Sequence, residues 1–139
     1  SLIPLARLEQ VGLMEAGLFI DNIDLEWGFR AQHQGLQLYG VSDARLVQRI
    51  GETVSTFWFG RTWLLYRHAP VRQYYQTRNR LRLYARAYVP WAWIVQDIPR
   101  LLFKIVAFSL FIQPRRLHRK MLYQGLRDGF TNRSGKYRA

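Results

Sequence analysis

The chain contains no cysteine. That absence excludes a disulfide-stapled secreted fold and any thiolate metal centre. Long hydrophobic runs are absent as well. The most apolar stretch, residues 101–112, is interrupted by Lys104, whereas a bilayer span needs roughly 20 consecutive apolar residues. A buried or interfacial helix is expected there instead. Histidine is scarce, and His33, His68 and His118 lack the close helical spacing of paired metal ligands. Neither a glycine-rich phosphate loop nor a nucleophile elbow occurs. The first residue is Ser1 rather than Met, and no charged segment precedes a long apolar stretch as in a secretory leader. The chain is therefore expected to be part of a longer protein, cut within a domain.

Acids are nearly missing from the second half. Residues 1–52 hold seven acids and four arginines, a net charge of −3; residues 53–139 hold 17 Lys and Arg against Asp97 and Asp128, a net of +15. Such asymmetry points to an anionic partner for the basic half: nucleic acid, anionic lipid or nucleotide phosphate. Disorder is excluded, because hydrophobic residues make up 49% and aromatics 15% of the chain. At 139 residues the chain is long enough for one domain with a real core.

Periodicity predicts α/β structure first and helices afterwards, with a boundary in 52–67. Leu5, Leu8 and Val11 lie on one face of a helix over 4–11, with Gly12 at its C-terminus. Residues 13–20 read as a loop or short strand. Asp21 or Asn22 is placed to cap a helix running to about Gln34, stopped by Gly35, with Ile23, Trp27 and Ala31 on one face. The alternation in 36–41 predicts a strand, 44–50 a second, and 53–66 a loop followed by a short strand or helix. From 68 onward the pattern is helical, with Pro70 suited to a first turn. Pro90 and Pro99 are expected to divide helices over 90–98 and 99–112, and a break at 113–114 to precede a basic amphipathic helix ending at Gly125 or Gly129. The last ten residues are expected to fray.

The segment GLFIDNIDLEWGFR, residues 17–30, gathers Asp21, Asp24 and Glu26 at a loop-to-helix junction. The positive end of the helix dipole favours ionised carboxylates there. An ionised carboxylate beside a substrate hydroxyl can act as a general base. The same spacing also suits ordinary capping and solvated first-turn acids.

The run VGLMEAGLFIDNIDLEWGFRAQ, residues 11–32, resembles the acceptor-side half of the catalytic domain of bacterial family-2 glycosyltransferases with a GT-A fold. Its Asp-x-Glu-Trp string is most similar to the dTDP-rhamnose rhamnosyltransferases. The resemblance puts Asp24 in the position of the catalytic base and Glu26 in that of a second acid. It makes Glu26, Trp27 and Arg30 acceptor-binding or supporting residues. Residues 36–52 resemble the family's next strand pair, although Gln48 stands where a histidine is common; no metal ligand is assigned. HAPVRQYYQTRNR, residues 68–80, resembles a further family segment and makes His68, Arg72 and Arg78 donor-phosphate candidates.

The implied fold is α/β but mostly helical: an acceptor-side portion of a GT-A domain over 1–67, then a basic aromatic helical region over 68–139. The implied activity is inverting transfer of a sugar, expected to be rhamnose from dTDP-rhamnose, to a saccharide or lipid-linked saccharide in cell-surface polysaccharide (O-antigen) synthesis. The nucleotide-binding half and most ligands of a divalent Mg or Mn ion would lie outside this chain, so the isolated fragment is expected to be inactive. Cations interleaved with Trp and Tyr after residue 86 suit an anionic membrane surface, with the enzyme cytoplasmic and peripheral to the inner membrane. A homo-oligomer is compatible and no nucleic-acid partner is expected. The competing readings are a membrane-surface or oligomerisation module without catalysis, and a basic nucleic-acid-binding domain.

Overall fold

A computed structural model of the chain describes residues 2–44, 52–58, 61–67 and 69–138. It has two compact units, Ser1–Leu38 with Pro70–Ala139, and Tyr39–Ala69. The first is helical: α1 spans Leu5–Val11, α2 Ile23–His33, α3 Pro70–Tyr84, α4 Trp91–Leu110 and α5 Arg115–Phe130. The second contains an antiparallel pair, β1 (Glu52–Trp58) and β2 (Arg61–Arg67), in register Glu52↔Arg67 through Trp58↔Arg61. The chain is thus mostly helical, as expected. The pair replaces the expected loop and single short element over 53–66. Both runs are rich in β-branched and aromatic residues, which suit a pleated surface.

Residues 36–41 form no strand. The Leu36 N–H bonds to the Ala31 carbonyl at 3.0 Å and the Gly35 N–H to the Gln32 carbonyl at 2.9 Å. With Gly35 at φ +81, these bonds close α2 in a Schellman motif. Leu36 then packs on Val11, Trp27 and Ala31, so its donor and its side chain both finish the helix. The strand predicted over 44–50 falls, from residue 45 on, outside the described residues.

Pro99 does not divide two helices; it lies inside α4. A proline there forfeits its bond to the carbonyl four residues earlier. That residue, Val95, is partly exposed, so the freed carbonyl is not shut inside the core. α5 ends at Phe130, about where the second expected end falls, but both Gly125 and Gly129 lie inside it. A Cβ at Gly125 would sit 2.8 Å from the Tyr74 carbonyl oxygen, and one at Gly129 2.8 Å from Leu81 Cδ1. The two glycines let α5 lie against α3.

The core has three clusters, two of which include residues of α3. Phe29, Leu83, Val89 and Ile94 form one cluster; Val11, Trp27 and Ala31 a second; Tyr74, Tyr75 and Met121 a third. Two buried acids tie the outer helices to α3. Asp97 of α4 pairs with Arg80 at 3.0 Å and accepts from Tyr84 Oη at 2.6 Å. Asp128 of α5 accepts from Tyr74 Oη at 2.8 Å. Burial and the bond to Asp97 raise the Tyr84 hydroxyl far above its usual range. The C-terminal residues do not fray. The Gly135 N–H donates to the Gly17 carbonyl at 2.7 Å, the Tyr137 N–H to Tyr75 Oη at 2.7 Å, and Tyr137 Oη to Gln124 at 2.8 Å. Among the described residues no helix is long and apolar enough to cross a membrane.

Candidate functional site

The two helical-unit segments singled out in the sequence meet in space. The link is the Arg78–Asn79 pair of α3, which grips the loop leading into α2. Arg78 is completely buried. Its Nη2 donates to the Leu18 carbonyl at 2.9 Å and the Gly17 carbonyl at 3.3 Å, and its Nη1 to the Gly135 carbonyl at 2.6 Å. Both Nε and Nη2 donate to Asn79 Oδ1, at 3.0 and 2.9 Å. The Asn79 amide donates in turn to the carbonyls of Leu18, Ile20 and Asp21, at 3.0, 2.7 and 2.9 Å. Tyr74 and Tyr75 present ring faces to the guanidinium, 5.3 and 5.1 Å from centroid to Cζ.

The gripped loop has an unusual backbone. A short 3₁₀ turn over Ala16–Leu18 leads into Phe19 at φ 65 and ψ −57. The Ile20 N–H bonds to the Leu18 carbonyl at 2.8 Å, which completes a γ-turn of the rare, strained kind. Asp21 and Asn22 follow at φ 62 each. Asp and Asn tolerate the left-handed region better than other side chains, but two in succession still need external support. The carbonyl bonds from Arg78 and Asn79 supply it. Neither Asp21 nor Asn22 caps α2 through its side chain, contrary to expectation: Asn22 occupies the N-cap position without a capping bond, and Asp21 is turned toward α3.

There Asp21 meets Arg72. Arg72 Nε donates to Oδ2 at 2.9 Å and Nη2 to Oδ1 at 2.9 Å, a forked pair. The bond to Asp21 holds the guanidinium above its usual pKa range against the opposing effect of burial. Glu26 is buried; Arg30 Nε lies 3.0 Å from its Oε1, and Tyr88 Oη donates to the same oxygen at 2.6 Å. Burial and that bond push the Tyr88 hydroxyl up to about 12. Arg30 also donates to the carbonyls of Val11 and Leu13, at 3.0 and 2.8 Å. Trp27 is buried and its Nε1 donates to the Gly12 carbonyl at 2.8 Å. Glu15 is shared by Arg82 and Arg86, at 3.0 and 2.9 Å.

Asp24 stands apart from these pairs. It lies in the first turn of α2 with its side chain exposed, and among the described residues it makes no hydrogen bond or ion pair. Of the four acids in residues 15–26, three are held by arginines and Asp24 is left to solvent at the dipole's positive end. A carboxylate so placed can accept a proton from an incoming hydroxyl.

Of the residues singled out in the sequence, Asp24 is open, Arg72 half-exposed and forked onto Asp21, and Glu26, Trp27 and Arg30 are locked into the base of α2. Arg78 faces no solvent. His68 lies outside the described residues. The sequence reading missed Asp21, Glu15 and Tyr88 as partners, and gave Asn79 no role. The Arg-Asn adjacency was a usable signal, since a buried arginine needs a fixed acceptor beside it. Among the described residues no three His, Asp or Glu converge as a metal site requires, and the acids flanking Asp24 are already paired; the residues do not fit a resident ion.

Over 108 residues the chain is 32% identical to the dTDP-rhamnosyl transferase RfbF of Shigella flexneri; the match covers 78% of this chain and 34% of that enzyme. The chain spans about a third of the length of the curated relative it matches. No family model and no solved structure matches it. In sequence, then, the chain is like part of a dTDP-rhamnosyl transferase.

Proposed function

We propose that the chain is the acceptor-side part of an inverting glycosyltransferase of the GT-A type and that Asp24 is its general base. Asp24 removes the proton of an acceptor hydroxyl as that oxygen bonds to the anomeric carbon of a nucleotide sugar. The bond from that carbon to the diphosphate breaks, and its electron pair leaves with the nucleoside diphosphate. A carboxylate of ordinary basicity is sufficient, because the proton moves as the new bond forms.

The observation that carries this reading is the selective freedom of Asp24. The loop before it is strained and held by Arg78 and Asn79, its acidic neighbours are neutralised by arginines, and its own carboxylate is left exposed. Strain supported by buried polar bonds at the edge of an open carboxylate is a pattern of functional sites. The likeness to a dTDP-rhamnosyl transferase supports rhamnose as the transferred sugar and dTDP-rhamnose as the donor. A saccharide or lipid-linked saccharide of the cell envelope is the acceptor in this reading.

On the same reading the nucleotide-binding half, and any divalent ion with it, belongs to other residues of the enzyme. The 139-residue chain alone is then inactive. Incubating it with dTDP-rhamnose and a lipid-extract acceptor should release no dTDP, and measurable release would refute that division of labour. Within the complete enzyme, Asp24→Glu should retain part of the turnover and Asp24→Asn very little. Equal activity of the two variants would remove the carboxylate from the chemistry.

A further inference from the structure

We propose that the exposed face of α4, together with the cationic start of α5, is a docking surface for an anionic lipid bilayer. Trp91, Val95, Ile98, Leu102, Val106 and Leu110 recur at steps of three and four along α4. They are 73%, 47%, 40%, 58%, 52% and 55% exposed. Phe103, 67% exposed, widens the stripe. The 20-residue helix is about 30 Å long, and this face carries no charge from end to end. Of the helix's three charged residues, Asp97 is buried in its pair with Arg80, Lys104 is bonded to Gln76, and Arg100, which is exposed, falls about half a turn round the helix from Leu102. So continuous an apolar face on a surface helix marks a binding surface.

The neighbouring charge selects the occupant. Arg115, Arg116, Arg119 and Lys120 are all exposed on the first turns of α5, a few residues past the end of α4. No acid occurs from residue 98 to residue 127. Aromatics flank the surface, with Trp91 at its start and Tyr123 of α5 68% exposed, the residue types that settle at the membrane–water boundary. An apolar stripe with adjacent cations is how a helix lies in the plane of an anionic interface. A second copy would also cover the stripe, but it would bring a chain of net charge +12 onto another of +12, whereas an anionic leaflet neutralises that charge. The inference does not depend on the catalytic reading, since no residue of the Asp24 site lies on α4.

The test is flotation of the 139-residue chain with vesicles of phosphatidylethanolamine and phosphatidylglycerol, against vesicles of phosphatidylcholine alone. The chain should float with the anionic vesicles and much less with the neutral ones. Leu102→Glu with Val106→Glu alters only exposed positions, so circular dichroism should be unchanged while vesicle affinity falls at least about tenfold. Replacing Arg115, Arg116, Arg119 and Lys120 by Gln should weaken anionic binding about a hundredfold or more. Three results overturn the proposal. One is affinity unaffected by the two glutamates and abolished by salt, which marks charge attraction alone. Another is equal binding to neutral and anionic vesicles. The third is a dimer in sedimentation equilibrium that the glutamates dissolve, without vesicle binding, which gives the face to a second copy.

Discussion

Arg78 is a buried cation that, among the described residues, has no carboxylate partner. Its charge is met by the oxygens of Gly17, Leu18, Gly135 and Asn79 and by two tyrosine faces. Planarity makes this possible, because a guanidinium directs several donors at fixed angles and a lysine cannot. Arg78→Ala strands those carbonyls and should lower stability by about 3 kcal/mol or more, with Arg78→Lys recovering only part; an unchanged urea midpoint in either variant would contradict the grip assigned to it. Lys104 gives a pH signature of its own. Burial first, and the neighbouring Arg80 next, lower its pKa from 10.5 to about 8. Below pH 8 both folded and unfolded chains hold this proton, and the fold carries the penalty of a half-buried charge. Between 8 and 10.5 the unfolded chain holds more protons, so this group's contribution to stability rises with pH. Lys104→Met should therefore be relatively most favourable at pH 7 and lose that advantage by pH 10, as read from paired thermal melts. A constant difference would show that Lys104 is not desolvated. At this scale the sequence was partly legible. Glu26 and Arg30 could be paired from their i, i+4 spacing. Arg72 and Asp21 lie 51 residues apart, and no local rule joins them.

Helix existence was legible wherever apolar positions repeat, as in α1, α2 and α3, because one buried stripe determines the period. Helix ends and interruptions were less so, since glycine and proline carry two meanings. Gly35 ends α2 as expected, at a positive φ. Gly125 and Gly129 look identical in sequence but serve the close approach of α5 to α3. A helical glycine usually gains about 1 kcal/mol on change to alanine. Here Gly125→Ala would force a methyl to 2.8 Å from the Tyr74 carbonyl and 3.0 Å from Thr77 Cβ. Overpacking of about 1–3 kcal/mol should outweigh the gain, and the melting temperature should fall; a rise would mean that α5 can shift without loss. The loop over 16–22 was the least legible element. Its turn at Phe19 depends on bonds from α3, and nothing in its own residues calls for it.

At the scale of the whole chain, the helical unit is closed by contacts between its distant ends. Gly17 bonds to Gly135, Arg78 joins both segments, and the Tyr137 ring packs against that of Tyr74 at 4.8 Å between centroids. Such closure was invisible in a terminal run that reads as polar and loose. Removing residues 133–139 should therefore destabilise the unit and raise amide exchange at residues 17–21, not merely trim a tail; unchanged exchange there would contradict it. The resemblance to a rhamnosyltransferase was legible because the string around Asp24 is specific, while the spacing of its acids was compatible with simple helix capping. The structure adds the physical distinction among those acids, three held by arginines and one open. The most direct measurement is steady-state turnover and donor affinity of Asp24→Asn in the complete glycosyltransferase proposed to contain this chain. The side chain is exposed and bonded to nothing described, so folding and dTDP-rhamnose affinity should be unchanged while kcat falls about 10²–10⁴-fold. Turnover within a few-fold of the parent enzyme would contradict the assignment of Asp24 as the base.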